Sequence, residues 1–267
     1  MLGAIVGDII GSPYRNNKKD SDFPLISPRS YTTEITLMTL AVVEALMKAM
    51  PEYGAEISEE RFESEVIFWL RFFGKKFKKI RHGKKFYSWL TSRDPQPYES
   101  SSNGAALRVS PIAWAFDNIE DVEHFAEVAA RVTHNTDEGI KYARTMAGMV
   151  FLARMKKEKD EIKNYFCEKT GLELSKTIEE LRPDFAFTTS CPVTVSAAVV
   201  AFMESEYFDD AVRRAISLGG ETTATAAMTG AIAEALWGVK IVTEVEAFDK
   251  LAKRLRYSVE KWEQWKP

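Results

Sequence analysis

Two stretches of the chain set a carboxylate among threonines where a helical pattern begins. One is Tyr31-Thr32-Thr33-Glu34-Ile35-Thr36, the other Gly219-Gly220-Glu221-Thr222-Thr223-Ala224. Unpaired backbone N–H groups point outward at a helix N-terminus, so two such ends could converge on an anion. Capping accounts for the same residues equally well, with Thr32 or Thr33 accepting from the first turn and Glu34 helping to start the helix. A third stretch runs Ser100-Ser101-Ser102-Asn103-Gly104-Ala105-Ala106-Leu107-Arg108-Val109-Ser110-Pro111. Its small polar residues make a loop that a phosphate or sugar could approach closely. In a fourth, Val132-Thr133-His134-Asn135-Thr136-Asp137-Glu138-Gly139, His134 precedes a helix start. It is either a ring for stacking or a residue of the cap region, the commoner role.

Residues 3–15 read GAIVGDIIGSPYR, with glycines at 3, 7 and 11. No Lys-Ser/Thr follows the last glycine, so this is not a phosphate-cradling Walker loop. A helix with a glycine stripe, made for close contact with another helix, is the plainer reading. Asp8 lies on that stripe, and a carboxylate on a close-packed face needs hydrogen-bond partners or a cation.

Helical spacing supplies the elements that must position these residues. From Glu34 to Met50 the apolar positions include Leu37, Leu40, Ala41 and Ala45, with Glu44 expected outward and Pro51 ending the run. Residues 59–73 turn Phe62, Val66, Trp69 and Leu70 to one face. A helix is expected over 104–116, started or broken at Pro111, and shorter ones over 86–90, 162–167 and 178–181. Asn118 caps a helix over 119–132, and a long one covers 137–155. Pro192 opens a helix to Glu204. Residues 207–218 follow, then an Ala-, Thr- and Gly-rich helix over 221–236 suited to a central, buried place, and a last one over 245–257. Val-Ile-Thr runs are short and no hairpin turn divides alternating segments. The fold class expected is all-α.

Composition sets the outer bounds. The 267 residues are 45% hydrophobic and 28% charged, an ordinary globular mixture, and are expected to form a single domain over 1–267. A formal charge of −3 argues against a general nucleic-acid binder. Lys75 to Lys85 carries seven basic residues with Phe77, Ile80 and Phe86 interleaved or adjacent, and is read as a solvated face. Cys167 and Cys191 form no CxxC and are expected as free thiols. The start is short, interrupted by Asp8 and without a basic n-region, so no signal peptide is expected. No run of ~18 apolar residues predicts a membrane span, and the expected location is cytoplasmic.

Taken together, GAIVGDIIGSPY, MTLAVVEAL, HGKKFYSWL, DPQPYESSSNGAALRVSPIAWAF, VTHNTDEGIKYA and AISLGGETTATAAMTGAIAEALWG resemble, in order and spacing, the phrases of the ADP-ribosylglycohydrolase family of the dinitrogenase-reductase-activating glycohydrolase type. The resemblance covers nearly the whole chain. It implies a compact, orthogonally packed multi-helical domain and a cleft for ADP-ribose. It also implies two magnesium or manganese ions, held by a Glu after the Gly-Ser-Pro segment, a Thr-Asp-Asp run, and an Asp-x-Asp-Thr run after Gly-Gly. Here those places hold Arg15, Thr33-Glu34-Ile35 and Glu221-Thr222-Thr223-Ala224. Only Thr33 is retained, and an arginine has no acceptor atom with which to bind a metal. Like unit charges at ~4 Å repel by about 4 kcal/mol at an effective dielectric near 20, and a dication roughly doubles that.

No metal cofactor is therefore expected, and at most one ion. Arg15 is expected to reach Glu34 or Glu221 with its planar fork and so neutralise carboxylates that ions would otherwise bridge. By resemblance, Ser100, Asn103, Gly104, Ala105, Arg108, Ser110, His134 and Asn135 match the substrate-contacting stretches, with Ser102 where a glycine is usual. Two functions follow. One is a homologue that binds ADP-ribose, a related nucleotide or an ADP-ribosylated protein with little or no hydrolysis. The other is an active hydrolase, with Glu34 and Glu221 as its catalytic residues, releasing ADP-ribose from arginine, serine or a small acceptor. No nucleic-acid or membrane partner is expected.

Overall fold

Gly3, Gly7 and Gly11 do face another helix, and they do so backbone to backbone. A Cβ built on Gly3 would lie 2.1 Å from the carbonyl oxygen of Gly230, and one on Gly7 would lie 2.1 Å from that of Ala226. Two helices can come this close only where one of them presents glycine. In the computed structural model, which describes residues 1–15 and 22–266, the first helix, α1 (Leu2–Gly11), is buried along its whole length, chiefly against that helix and also against three others. Its N-terminal end is held by Glu234, whose carboxylate accepts from the Met1 ammonium, Leu2 N and Gly3 N. At the other end the Thr222 hydroxyl donates to the Gly11 carbonyl.

The remaining helices are α2 (Glu34–Ala49), α3 (Glu59–Lys76), α4 (Lys84–Thr91), α5 (Ile119–Arg131), α6 (Asp137–Arg154), α7 (Lys159–Thr170), α8 (Ile178–Leu181), α9 (Cys191–Met203), α10 (Phe208–Ser217), α11 (Thr222–Trp237), α12 (Ile241–Phe248) and α13 (Lys253–Trp265). Among the described residues there is no strand, only an isolated antiparallel bridge between Ser102 and Ser190. The fold is all-α, as the sequence predicts. The central helix is α11, buried from Thr222 to Ala235 and packed against α1, α6, α9 and α10. Two of its hydroxyls find carbonyl partners: Thr225 donates to Glu221 O, and Thr229 to Ala198 O on α9. Both cysteines are free, and no helix among the described residues is long and apolar enough to cross a membrane.

Three expectations change. Residues 104–116 form two short 3-10 turns, Ala106–Arg108 and Ile112–Trp114, in place of one helix. Pro111 supplies no N–H and disfavours helix in the residue before it. The last helix is two, parted at residues 249–252, where Ala252 turns extended to start α13. Finally, Glu44 is buried, because α13 folds over it and supplies Ser258 Oγ at 2.6 Å and the Arg254 guanidinium at 3.1 Å.

Gly7→Val places a branched side chain where backbone already sits. It is expected to lower unfolding free energy by about 3 kcal/mol, measured by urea denaturation. An unchanged midpoint would contradict the contact.

Candidate functional site

The N-termini of α2 and α11 meet at one wall of a cleft of about 790 Å³. From α2 come Glu34, Ile35 and Met38, and from the N-terminal end of α11 come Glu221 and Ala224. Loop 98–104, His134, the start of α4 and residues 187–190 close the rest. Segments more than a hundred residues apart in sequence therefore share one concavity.

The electrostatics begin with Asp8. Its buried carboxylate reaches from α1 to the N-terminus of α2, where it accepts from Thr33 N at 3.1 Å, Thr33 Oγ1 at 2.5 Å, Thr36 N at 3.3 Å and Thr36 Oγ1 at 2.6 Å. The anion at this helix end is thus the protein's own. Thr33 is the N-cap, and its hydroxyl also accepts from Ile35 N at 3.2 Å. Burial raises Asp8 to about 7, against the pull of the two threonines.

Glu221 occupies the N-cap position of α11 but caps nothing with its side chain. One carboxylate oxygen accepts from Thr223 Oγ1 at 2.5 Å and the other from Arg15 Nη2 at 2.6 Å. The same Arg15 nitrogen lies 3.9 Å from Glu34, and the guanidinium sits 5.6 Å over the Phe187 ring. The Arg15 contact expected from the sequence is present, to Glu221. Glu34 is raised above the usual carboxylate range by burial, with Arg15 opposing the shift. Among the described residues, no group of three His, Cys, Asp or Glu side chains is placed to hold a metal ion.

The opposite wall is built on a buried arginine. The Arg108 guanidinium donates to Ala129 O at 2.6 Å and to Thr133 Oγ1 at 2.8 Å. Thr133 Oγ1 lies 2.7 Å from His134 Nδ1, and His134 Nε2 lies 3.0 Å from the Ser102 carbonyl oxygen. A carbonyl only accepts, so Nε2 carries the proton and Nδ1 accepts from Thr133. Burial, helped by Arg108, lowers His134 to about 3, and burial lowers Arg108 to about 10. His134 is therefore a neutral strut under the serine loop. Ser102 Oγ meets Ser100 Oγ at 2.8 Å, and Asn103 N donates to Thr189 O at 2.8 Å.

Of the residues matched by resemblance, Ser100, Asn103, Gly104 and His134 line the cleft. Arg108 reaches its wall, but with a guanidinium turned inward to backbone carbonyls. Ala105 and Ser110 are buried in the turns behind the loop and lie off the lining. Asn135 lies outside, where its Oδ1 accepts from Glu99 N at 2.5 Å and steadies a backbone held at φ 47°. Of the positions matched to the metal ligands, Arg15, Glu34, Ile35, Glu221 and Ala224 line the cleft, whereas Thr33 and Thr223 stand behind it. Two lining stretches were not expected as site residues. One is Phe187-Thr188-Thr189-Ser190, a polar run before a proline-started helix. The other is Gly83-Lys84-Lys85-Phe86, which falls in the family-like phrase HGKKFYSWL but whose lysines are expected on a solvated face.

A sequence profile described as ADP-ribosylglycohydrolase matches residues 1–264. The chain is 26% identical over 190 residues to human ADP-ribosylhydrolase ARH3, covering 54% of this chain and 52% of that protein. It is 25% identical over 157 residues to ADP-ribosylarginine hydrolase Tri1 of Pseudomonas putida, covering 57% of this chain and 42% of that one. The chain thus spans about half the length of these curated relatives. A solved structure described as an ADP-ribosylglycohydrolase-related protein complex superposes with a TM-score of 0.69 at 20% identity, over 99% of this chain and 96% of that one, and shares the fold.

Asp8 binds its proton more tightly folded (about 7) than at its ordinary 3.8. Its share of stability is therefore greatest below pH 3.8 and declines as pH rises toward 7. Asp8→Asn is expected to flatten the stability profile across that window, read by thermal melts at stepped pH. An equally steep profile in the variant would remove Asp8 as the cause.

Proposed function

The chain belongs to the ADP-ribosylglycohydrolase family, and from that membership we propose that its cleft binds ADP-ribose, a related nucleotide or an ADP-ribosylated partner with little or no hydrolysis. The observation that carries this reading is the Arg15–Glu221 ion pair at 2.6 Å, set between the N-termini of α2 and α11.

The resemblance implies two dications at this place, and the donor set does not fit them. Hard cations of this kind take octahedral sets of oxygens, one or two of them carboxylates beside several waters, so two ions side by side call for several anionic oxygens. Ile35 and Ala224 offer no side-chain oxygen. The Thr33 hydroxyl is donated to Asp8, and the Thr223 hydroxyl to Glu221. Arg15 adds a fixed positive charge beside the two remaining carboxylates. At most one ion is compatible with what is left.

Without paired ions, water activation would fall to side chains. His134 is a poor base, since both ring nitrogens are bonded and burial keeps it neutral. The binding side is better supported. Ser100, Asn103 and Gly104 present small groups and backbone at a wall braced by His134, which suits close approach of a ribose or a phosphate.

One observation favours the second reading, an active ADP-ribosyl hydrolase. Glu34 lies in the cleft wall with a raised pKa, as a general acid would, and Glu221 stands across Arg15 from it. The names of the human and Pseudomonas relatives point the same way.

Calorimetric titration separates the two. ADP-ribose is expected to bind equally well with magnesium and with a chelator, and ADP-ribosylated arginine and serine peptides are expected to remain intact over hours. Magnesium-dependent release of ADP-ribose would defeat the binding-only reading. Arg15→Ala leaves Glu221 buried beside Glu34 without its counter-charge, and is expected to cost about 1–2 kcal/mol in stability, between the values for exposed and buried pairs.

A further inference from the structure

Residues 66–93 contain nine Lys or Arg and no Asp or Glu, in a chain that carries 39 acids against 36 bases. The rest of the chain is accordingly acidic. The seven Lys and Arg between Lys75 and Lys85 are all exposed, and none makes an ion pair among the described residues. Soluble surfaces ordinarily intersperse the two signs, because a run of like charges repels itself. The backbone beneath this run is nevertheless fixed. Phe77 and Ile80 pack against the core, and Ile80 N donates to Phe77 O at 2.9 Å, so the turn points its cations outward. The run then enters the cleft, where Gly83, Lys84, Lys85 and Phe86 form part of the wall.

We propose that this cationic rim docks an acidic polypeptide segment belonging to the molecule whose ADP-ribosyl group sits in the cleft, an inference that rests on the cleft reading above. Charge complementarity and continuity argue for it together. A chain leaving the cleft over the start of α4 passes directly onto unpaired lysines, where acidic side chains gain attraction and orientation. A nucleic-acid strand fits less well. It carries a charge at every residue, and the same cleft is lined by Glu34 and Glu99 on an otherwise acidic protein. A polypeptide places its acids only where the lysines are.

The test uses the full chain and fluorescence anisotropy. The probes are an ADP-ribosylated peptide with Glu-rich flanks, one with Gly-Ser flanks, the unmodified Glu-rich peptide, free ADP-ribose, and an oligothymidine of equal charge. The triple variant Lys78→Glu, Lys79→Glu, Arg81→Glu touches no residue lining the cleft. It is expected to weaken the Glu-flanked conjugate by about tenfold and leave ADP-ribose and the Gly-Ser conjugate unchanged. The wild-type preference for acidic flanks is expected to fade as salt rises from about 0.05 M to about 0.3 M, over which the Debye length shrinks from above 10 Å to below 8 Å. Equal binding of the two conjugates by the wild-type protein would overturn the proposal, as would tighter binding of the oligothymidine than of the Glu-rich peptide. Loss of the unmodified Glu-rich peptide in the variant, with no ADP-ribose binding by either protein, would uphold the rim as a docking surface and overturn the cleft reading instead.

Discussion

The contact between α1 and α11 fixes everything else about this molecule. Carbonyl oxygens of α11 stand where the Cβ atoms of Gly3 and Gly7 would be, so the two helices have one available separation. That separation sets Asp8 at the head of α2 and carries the turn after α1, with Arg15, to the head of α11. The cleft's carboxylates and its guanidinium are placed by a backbone contact rather than by the groups' own attraction. Attraction alone would let long side chains choose among rotamers, whereas a close-packed helix pair leaves little choice.

The two walls of the cleft differ in how they manage charge. On the helix-end wall, opposite charges meet at the cleft surface: Arg15 lies within reach of Glu34 and Glu221, and its short contact is to the more buried of the two. On the loop wall the buried charge, Arg108, is turned inward, and it acts through Thr133 and His134 to hold the Ser102 carbonyl. A ligand would meet the Arg15, Glu34 and Glu221 charges on one side and, on the other, serine hydroxyls and backbone with Glu99 and the lysines of α4 at their edges. That asymmetry suits a molecule with a charged end and a sugar.

Much of this was legible in the sequence, for reasons that can be named. The glycine stripe shows because a four-residue repeat on a helix is periodic. The need for partners at Asp8 follows from placing a carboxylate on a packed face, and the Arg15 contact follows from charge balance among residues matched to one site. What escaped notice depended on distant chain. Glu44 looks outward until α13 covers it. Ser110, Ala105 and Asn135 sit within a matching stretch, but whether a residue in an irregular turn faces the cleft or the core has no period to reveal it. Residues 187–190 are short and polar, with nothing but their place in the fold to mark them. The basic run was legible as charge, but its entry into the cleft was not.

The pairing of α1 with α11 also bears on how the chain reaches its native state. The bonds joining the two helices span 211 to 232 positions. During synthesis, a helix apolar but for Asp8 therefore emerges long before the surface that covers it exists. At about 5–20 residues per second the wait is on the order of ten seconds or more, in which α1 is bare or borrowed by another apolar surface. Final docking of α1 is accordingly a late event, closing a loop of 211 positions or more and bringing Arg15 to the cleft in the same step.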